Sequence, residues 1–111
     1  MDTKYTIKGK VIHGDGYGKK LGFPTVNLLP ETKEIPPSGV YAGIAIMEGK
    51  TYPAGIVIGP NIKIEAHLIG YDGDAYDKQV SLQINKFLRE FKKFETEKEL
   101  IAQIGKDLKK C

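Results

Sequence analysis

The sequence contains few features that would place the protein outside a reducing cytoplasm. Its only cysteine is Cys111, so neither an intrachain disulfide nor a cysteine-based metal cluster can form. Residues 1–5 are polar and lack the apolar core of a signal peptide. No apolar run approaches the roughly 20 residues that a membrane helix needs. We therefore expect a cytoplasmic protein.

Charge of one sign is also scarce. The formal net charge is only +3, and the lysines are dispersed apart from the pairs at 19–20, 92–93 and 109–110. This is too little to indicate nucleic-acid binding, although it suits a small anionic ligand. A length of 111 residues with 41% hydrophobic content predicts one domain, residues 1–111, with a small core.

The most informative segment is rich in glycine. Residues 14–27 read GDGYGKKLGFPTVN, and glycine lets a backbone turn sharply and approach a ligand closely. The segment is neither a dinucleotide-binding fingerprint nor a Walker A loop, because the spacing fails around Lys19 and no helical pattern follows. On spacing alone, a phosphate-binding loop and an ordinary hairpin loop both remain open.

A strand follows this segment directly. Side chains alternate faces along a strand, so Thr25 and Asn27 should share one face while Val26 and Leu28 enter a core. A hydroxyl and an amide are neutral oxygen ligands suited to Mg²⁺, whose other ligands would be waters and substrate phosphates. A loop followed by such a pair indicates a nucleotide-dependent phosphotransferase.

The remaining chain shows short strands and one helix. Apolar alternation or apolar runs predict strands at 5–13, 25–29, 40–47, 51–58 and 62–70, and another around 80–84. Gly9 indicates a bulge or a close approach within the first strand. Thr96 and Glu99 form a capping box for a helix with an apolar stripe of Leu100, Ile101, Ile104 and Leu108. This pattern predicts an antiparallel barrel or sandwich and does not choose between them.

One strand carries a candidate base. With Ile64, Ala66 and Leu68 facing inward, Glu65 and His67 project from the opposite face. A carboxylate can orient an alcohol and accept its proton during phosphoryl transfer. Exposed strand glutamates are common, however, so the pattern alone does not single out Glu65. We expect His67 and His13 to be hydrogen-bonded structural residues.

Taken together, these residues resemble the riboflavin kinase family. The resemblance rests on Gly-x-Gly-x-Gly-x-x-Leu-Gly-Phe-Pro-Thr-x-Asn at 14–27 and extends from Lys8 to the C-terminus through segments 39–43, 64–68, 74–76 and 87–94. It implies ATP-dependent phosphorylation of riboflavin to FMN. It also implies a six-stranded antiparallel Greek-key barrel with one C-terminal helix packed against it.

The resemblance also implies roles for individual residues, and each is an expectation here. It assigns the catalytic base to Glu65 and the Mg²⁺ ligands to Thr25 and Asn27. Contacts with ATP are implied for Gly14, Lys19 and Tyr76. Contacts with the flavin are implied for Arg89, Lys92 and Phe94, in a loop before the last helix.

Two departures from the family pattern concern the nucleotide side. The connection at 58–62 is short, and Asp77 stands where the family usually has glycine, which puts ATP affinity in doubt. The 111 residues include no counterpart of the adenylyltransferase domain found in many bacterial members, so we expect that the protein does not make FAD by itself. We also expect a monomer. The alternatives are a non-catalytic flavin- or nucleotide-binding barrel and, less favoured, a small OB-like nucleic-acid-binding barrel. The latter would interleave basic and aromatic residues on one face, whereas Ser81, Gln83 and Asn85 are neutral.

Overall fold

The computed structural model describes residues 2–12, 22–31, 34–60, 63–71 and 75–111. These residues form six strands and one helix: β1 (Asp2–Ile12), β2 (Val26–Pro30), β3 (Gly39–Met47), β4 (Lys50–Gly59), β5 (Lys63–Leu68), β6 (Gln79–Arg89) and α1 (Glu97–Leu108). The strands close into a barrel in the order β1-β2-β5-β4-β3-β6, and every neighbouring pair is antiparallel. The predicted barrel is confirmed, and the sandwich alternative is wrong.

The barrel interior is filled by the apolar faces of the strands. Ile64, Ala66 and Leu68 of β5 are buried in it, as is Leu28 of β2, so the predicted alternation of both strands is confirmed. At Gly9 the backbones of β1 and β2 approach each other closely, since a Cβ there would overlap the carbonyl oxygen of Leu29 on β2. This contact explains why the first strand carries a glycine in its middle.

The turns follow the local sequence. Glu48 and Gly49 join β3 to β4 with φ values of 52° and 77°, and two positive φ values are the mark of a type I′ hairpin turn. Between β4 and β5 the connection is tight, because Gly59 and Lys63 are already cross-strand partners.

The C-terminal helix begins as the capping box predicts. The Thr96 side chain accepts a hydrogen bond of 3.2 Å from the backbone N–H of Glu99. The predicted stripe is wrong at Ile101, which is 38% exposed, while Leu100, Ile104 and Leu108 face the barrel and line a cavity. Among the described residues, no helix is both long and apolar enough to cross a membrane.

Candidate active site

A line of residues crosses the outer face of the barrel from strand to strand. Successive cross-strand partners define this transverse row as Ile12, Asn27, Glu65, Val57, Val40 and Arg89. Adjacent strands lie about 4.8 Å apart, and directly paired residues project from the same face. Asn27 and Glu65 are therefore immediate side-chain neighbours, on the face opposite the core.

A cavity of about 420 Å³ lies between this outer face and α1. Val40, Gly55 and Val57 belong to its barrel side, and Leu100, Ile104 and Leu108 to its helix side. Phe91 and Phe94 add aromatic surface from the segment that joins β6 to α1. Its volume lies within the range of small-molecule sites, about 300–1,000 Å³.

The cavity has a polar end and basic side chains. Thr25, Glu65 and His67 line it from β5 and from the residue before β2, and Lys63 and Lys92 line it as well. An apolar cavity with a few convergent polar groups is typical of small-molecule sites, where the polar groups fix the orientation of the ligand. The structure thus brings Glu65 and Thr25 together with Lys92 and Phe94 around one cavity.

Asn27 has the environment expected of a metal ligand. Asn27 is only 9% exposed. In the part of the chain that the structure describes, its side-chain amide makes no hydrogen bond to another residue. A buried amide without a partner costs about 1–3 kcal/mol, which a cation bound to its oxygen would offset. The neutral oxygens of Asn27 and Thr25 therefore fit a hard divalent cation. Asn27 and Val26 have the predicted orientations, since Val26 packs against the core.

His67 makes the structural contact that its position predicts. Its Nδ1 lies 2.6 Å from the carbonyl oxygen of Pro24. Its ring also meets the ring of Phe23 edge-on, with 6.1 Å between centroids. His67 therefore connects β5 to the segment that leads into β2. His13 lies outside the described residues.

Arg89 occupies the far end of the transverse row, under α1. It is the last residue of β6, so its predicted position in a loop is wrong. The pairing of β6 with β3 extends as far as Arg89 because it continues through two register shifts. Its Nε lies 3.1 Å from both carboxylate oxygens of Asp107, and its Nη2 lies 2.9 Å from Oδ2. The guanidinium also lies 5.5 Å from the centre of the Phe94 ring, and the Lys92 ammonium approaches that ring at the same distance.

Asp107 is the site residue that the sequence analysis missed. It is 5% exposed and also accepts a 2.9 Å hydrogen bond from Gln103 Nε2. The sequence contained an indication of this role, because Asp107 follows Leu100 by seven positions, about two helical turns, and so lies on the apolar stripe of α1. A charged residue on a buried stripe requires a partner, and here that partner is Arg89.

The other end of the row adjoins an exposed turn. Tyr76 is 46% exposed and is not among the described residues that line the cavity. Its neighbour Asp77 donates its backbone N–H to the Val11 carbonyl at 3.0 Å and pairs with Lys10 at 2.6 Å. The hydrogen bond and charge of Asp77 raise the pKa of Lys10 above its ordinary value. Gly14 and Lys19 lie outside the described residues.

Asp77 also has an unusual backbone conformation. Its φ is 71°, in the left-handed region where glycine is favoured. Aspartate is one of the few residues other than glycine that tolerate this conformation.

A closed barrel with a ligand-sized cavity and an amide–carboxylate pair on its outer face defines a barrel protein with a candidate small-molecule site. More specifically, the flavokinase family model, described as riboflavin kinase, matches residues 1–111. The chain belongs to this family.

Named relatives agree with this assignment. The bifunctional riboflavin kinase/FMN adenylyltransferase of Bacillus subtilis is 38% identical over 96% of this chain, and that of Listeria monocytogenes is 37% identical over 93%. The enzyme of the same name from Escherichia coli K12 is 32% identical over 93%. The chain spans only 37% of the Bacillus protein's length and 36% of the other two.

Solved structures share the fold. A Streptococcus pneumoniae protein described as a macrolide-efflux protein superposes with a TM-score of 0.91 at 24% identity, over 96% of this chain and 38% of that one. The riboflavin kinase of Trypanosoma brucei superposes with a TM-score of 0.70 at 20% identity, over 98% of this chain and 78% of that one. At these identities the two structures support the fold alone.

Proposed function

We propose that this chain transfers the γ-phosphate of ATP to the 5′-hydroxyl of riboflavin, giving FMN and ADP. The observation that carries the proposal is the direct pairing of Asn27 with Glu65 beside the polar end of an apolar cavity. Membership of the riboflavin kinase family supports the choice of substrate.

Riboflavin has two parts, and the cavity provides a matching region for each. Its flat ring system suits the space between the valines of the barrel and the apolar residues of α1, with Phe94 as a stacking partner. Its ribityl chain then extends toward Thr25 and Glu65 at the polar end. Arg89, Lys92 and Lys93 are among the cationic residues that line the cavity.

Glu65 acts as the base. Its carboxylate orients the terminal hydroxyl and accepts the proton as the oxygen bonds to phosphorus, while the ADP oxygen leaves. Because β5 is paired on both sides, the carboxylate is carried by a rigid element, which places a catalytic group more accurately than a loop does.

The nucleotide belongs at the opposite end of the row. Thr25 and Asn27 hold Mg²⁺, which when bound neutralises charge on the phosphates. The family resemblance supports contacts of Gly14, Lys19 and Tyr76 with ATP, and Tyr76 precedes Asp77, whose backbone N–H donates to Val11 near this end of the row. We propose that the protein acts as a monomer, and the supply of ATP favours the cytoplasm.

Incubation with riboflavin and Mg-ATP tests the proposal. Chromatography should show FMN and ADP in equal amounts, and omission of the divalent cation should abolish both. Asn27→Ala should raise the Mg²⁺ requirement, whereas the matched variant Val26→Ala should lower only stability, by about 0.5–1.5 kcal/mol or somewhat more. Riboflavin binding without FMN formation, whatever the triphosphate or metal, would instead establish the non-catalytic binding barrel.

A further inference from the structure

Thr25 lies just beyond the region where β2 is held by backbone pairing. The β2–β5 ladder consists of Leu28 with Ile64, Asn27 with Glu65, and Val26 with Ala66. Pro24 has no N–H and cannot donate to an extension of that ladder. Backbone pairing to β5 therefore fixes Asn27 but stops one residue short of Thr25.

His67 supplies a connection at this point. It follows Ala66 on β5, at the position where the next ladder pair would fall, and its Nδ1 lies 2.6 Å from the Pro24 carbonyl oxygen. A carbonyl oxygen can only accept, so Nδ1 carries the proton. The edge-on contact of the imidazole with Phe23 holds the same segment from a second side.

We propose that His67 is a positioning residue that holds Thr25 in line with Asn27, so that both oxygens face a divalent cation before it binds. Its side-chain hydrogen bond to the Pro24 carbonyl oxygen holds the β2 segment to β5 beyond the last backbone pair. This inference rests on the proposed function, in which Thr25 and Asn27 bind the metal. Residues that orient metal ligands typically change metal affinity by about 10–100-fold when they are replaced.

Three variants separate this role from others. His67→Leu approximates the bulk of the side chain but removes the donor, and His67→Asn keeps an N–H donor at nearly the position of Nδ1. His67→Gln moves that donor one bond further out. The Asn and Gln variants provide a comparison between polar side chains if the leucine variant does not fold.

The first measurement needs no ligand. Amide hydrogen exchange of segment 22–26 should accelerate about tenfold or more in His67→Leu and His67→Gln, because opening of this segment limits its exchange. His67→Asn should stay close to the wild type. The amides of β4 should not change in any variant.

The second measurement is ADP binding at increasing Mg²⁺, followed by calorimetry. The Mg²⁺ concentration for half-maximal binding should rise about tenfold in His67→Leu, the lower end of the range for such residues, and less in His67→Asn. The fall in kcat at saturating Mg²⁺ should be smaller than the rise in the Mg²⁺ requirement, because His67 acts through Thr25 in this role.

Two results would overturn the proposal. One is unchanged exchange together with unchanged Mg²⁺ dependence in His67→Leu and His67→Gln. The other is a large fall in kcat with the Mg²⁺ dependence intact, which would make His67 a direct participant in the reaction. Failure of the wild type to form FMN would count against the proposed function alone, since exchange and ADP binding do not depend on turnover.

Discussion

The two ends of the transverse row are built differently. At the Arg89 end, α1 covers the barrel, encloses the cavity and contributes a buried carboxylate. At the Ile12 end, the described neighbours are an exposed turn with Tyr76 and the surface pair Lys10–Asp77. The flavin half of the proposed site is thus formed by packing before a ligand arrives, whereas the described contacts beyond Ile12, at Tyr76 and at Lys10–Asp77, are exposed.

The ion pairs show the same difference. Asp107 accepts hydrogen bonds from both Arg89 and Gln103 within the protein. Lys10–Asp77 and Lys78–Glu48 lie at the surface with both partners well solvated. Exposed pairs contribute little to stability, whereas removing one partner of a buried pair leaves the other charge uncompensated. Substitutions at the two ends should therefore differ in what they change.

The largest effect is expected between the two ends, at Glu65. Glu65→Gln keeps the shape and one acceptor oxygen but cannot take the hydroxyl proton. The value of kcat should fall about 10²–10⁴-fold, with dissociation constants for riboflavin and ATP nearly unchanged. Steady-state kinetics together with equilibrium binding measure both quantities.

Glu34→Gln is the matched control, because Glu34 is exposed and does not line the cavity among the described residues. It should retain full activity. A Glu65→Gln variant with near-normal kcat would show that this glutamate is not the base.

The second effect concerns the buried pair. Arg89→Ala leaves Asp107 without its cationic partner and should lower the free energy of unfolding by about 3 kcal/mol, the lower end of the range for a broken buried pair. The dissociation constant for riboflavin should rise while that for ATP stays nearly constant, since α1 covers only the flavin end. Urea denaturation and fluorescence titration measure the two effects.

Lys78→Ala, which breaks an exposed pair with Glu48, should have little effect on either quantity. The double variant Arg89→Met/Asp107→Leu should regain most of the lost stability, because an apolar pair removes both buried charges. Equal weakening of both ligands in Arg89→Ala would indicate general misfolding, and weakening of ATP alone would place the arginine on the nucleotide side.

The sequence predicts what depends on local alternation and misses what depends on distant partners. The period of two in β5 and β2 was enough to place Glu65, Asn27 and Thr25 on one face and Leu28 in the core. The choice of a barrel needed the family resemblance, because closure depends on pairing between β1 and β6, which are far apart in the chain.

The position of the helix could not be predicted either. The capping box fixes where α1 begins, but the face that meets the barrel depends on Arg89, 18 residues before Asp107. The apolar stripe therefore included Ile101, which is exposed, and omitted Asp107, which is buried. A pattern that counts only apolar residues does not register a charged residue whose partner lies on another element.

A third, smaller effect is expected at Gly55, which lines the cavity from β4. A Cβ at this position would lie 2.8 Å from Leu108 Cδ2 on α1, so Gly55→Ala should push the end of the helix outward. Overpacking of this kind costs about 1 kcal/mol when the crowded group is the tip of a side chain. Thermal unfolding and riboflavin titration should both show the loss.

Leu108→Ala removes the clashing methyl groups, so the double variant Gly55→Ala/Leu108→Ala should be more stable than the sum of the two single effects predicts. Strict additivity would mean that Gly55 and Leu108 do not determine how closely α1 approaches the barrel.

The smallest effect is expected at the exposed end, at Asp77. Asp77→Gly removes an unfavourable backbone conformation at φ 71°, but it also removes the pair with Lys10 and gives the unfolded chain more freedom. These contributions oppose one another, so the melting temperature should change little. The loss of a negative charge near the proposed nucleotide site should strengthen ATP binding by only about two- to threefold, because solvent and salt screen exposed charges.

Asp77→Asn tests the cause, since it keeps the size and tolerates the same φ. It should reproduce the change in ATP affinity and lower the pKa of Lys10 toward its ordinary value, which NMR titration of the lysine side chain can follow. Riboflavin affinity should not change in either variant. A change in riboflavin affinity as large as the change in ATP affinity would show that the two ends of the row are coupled.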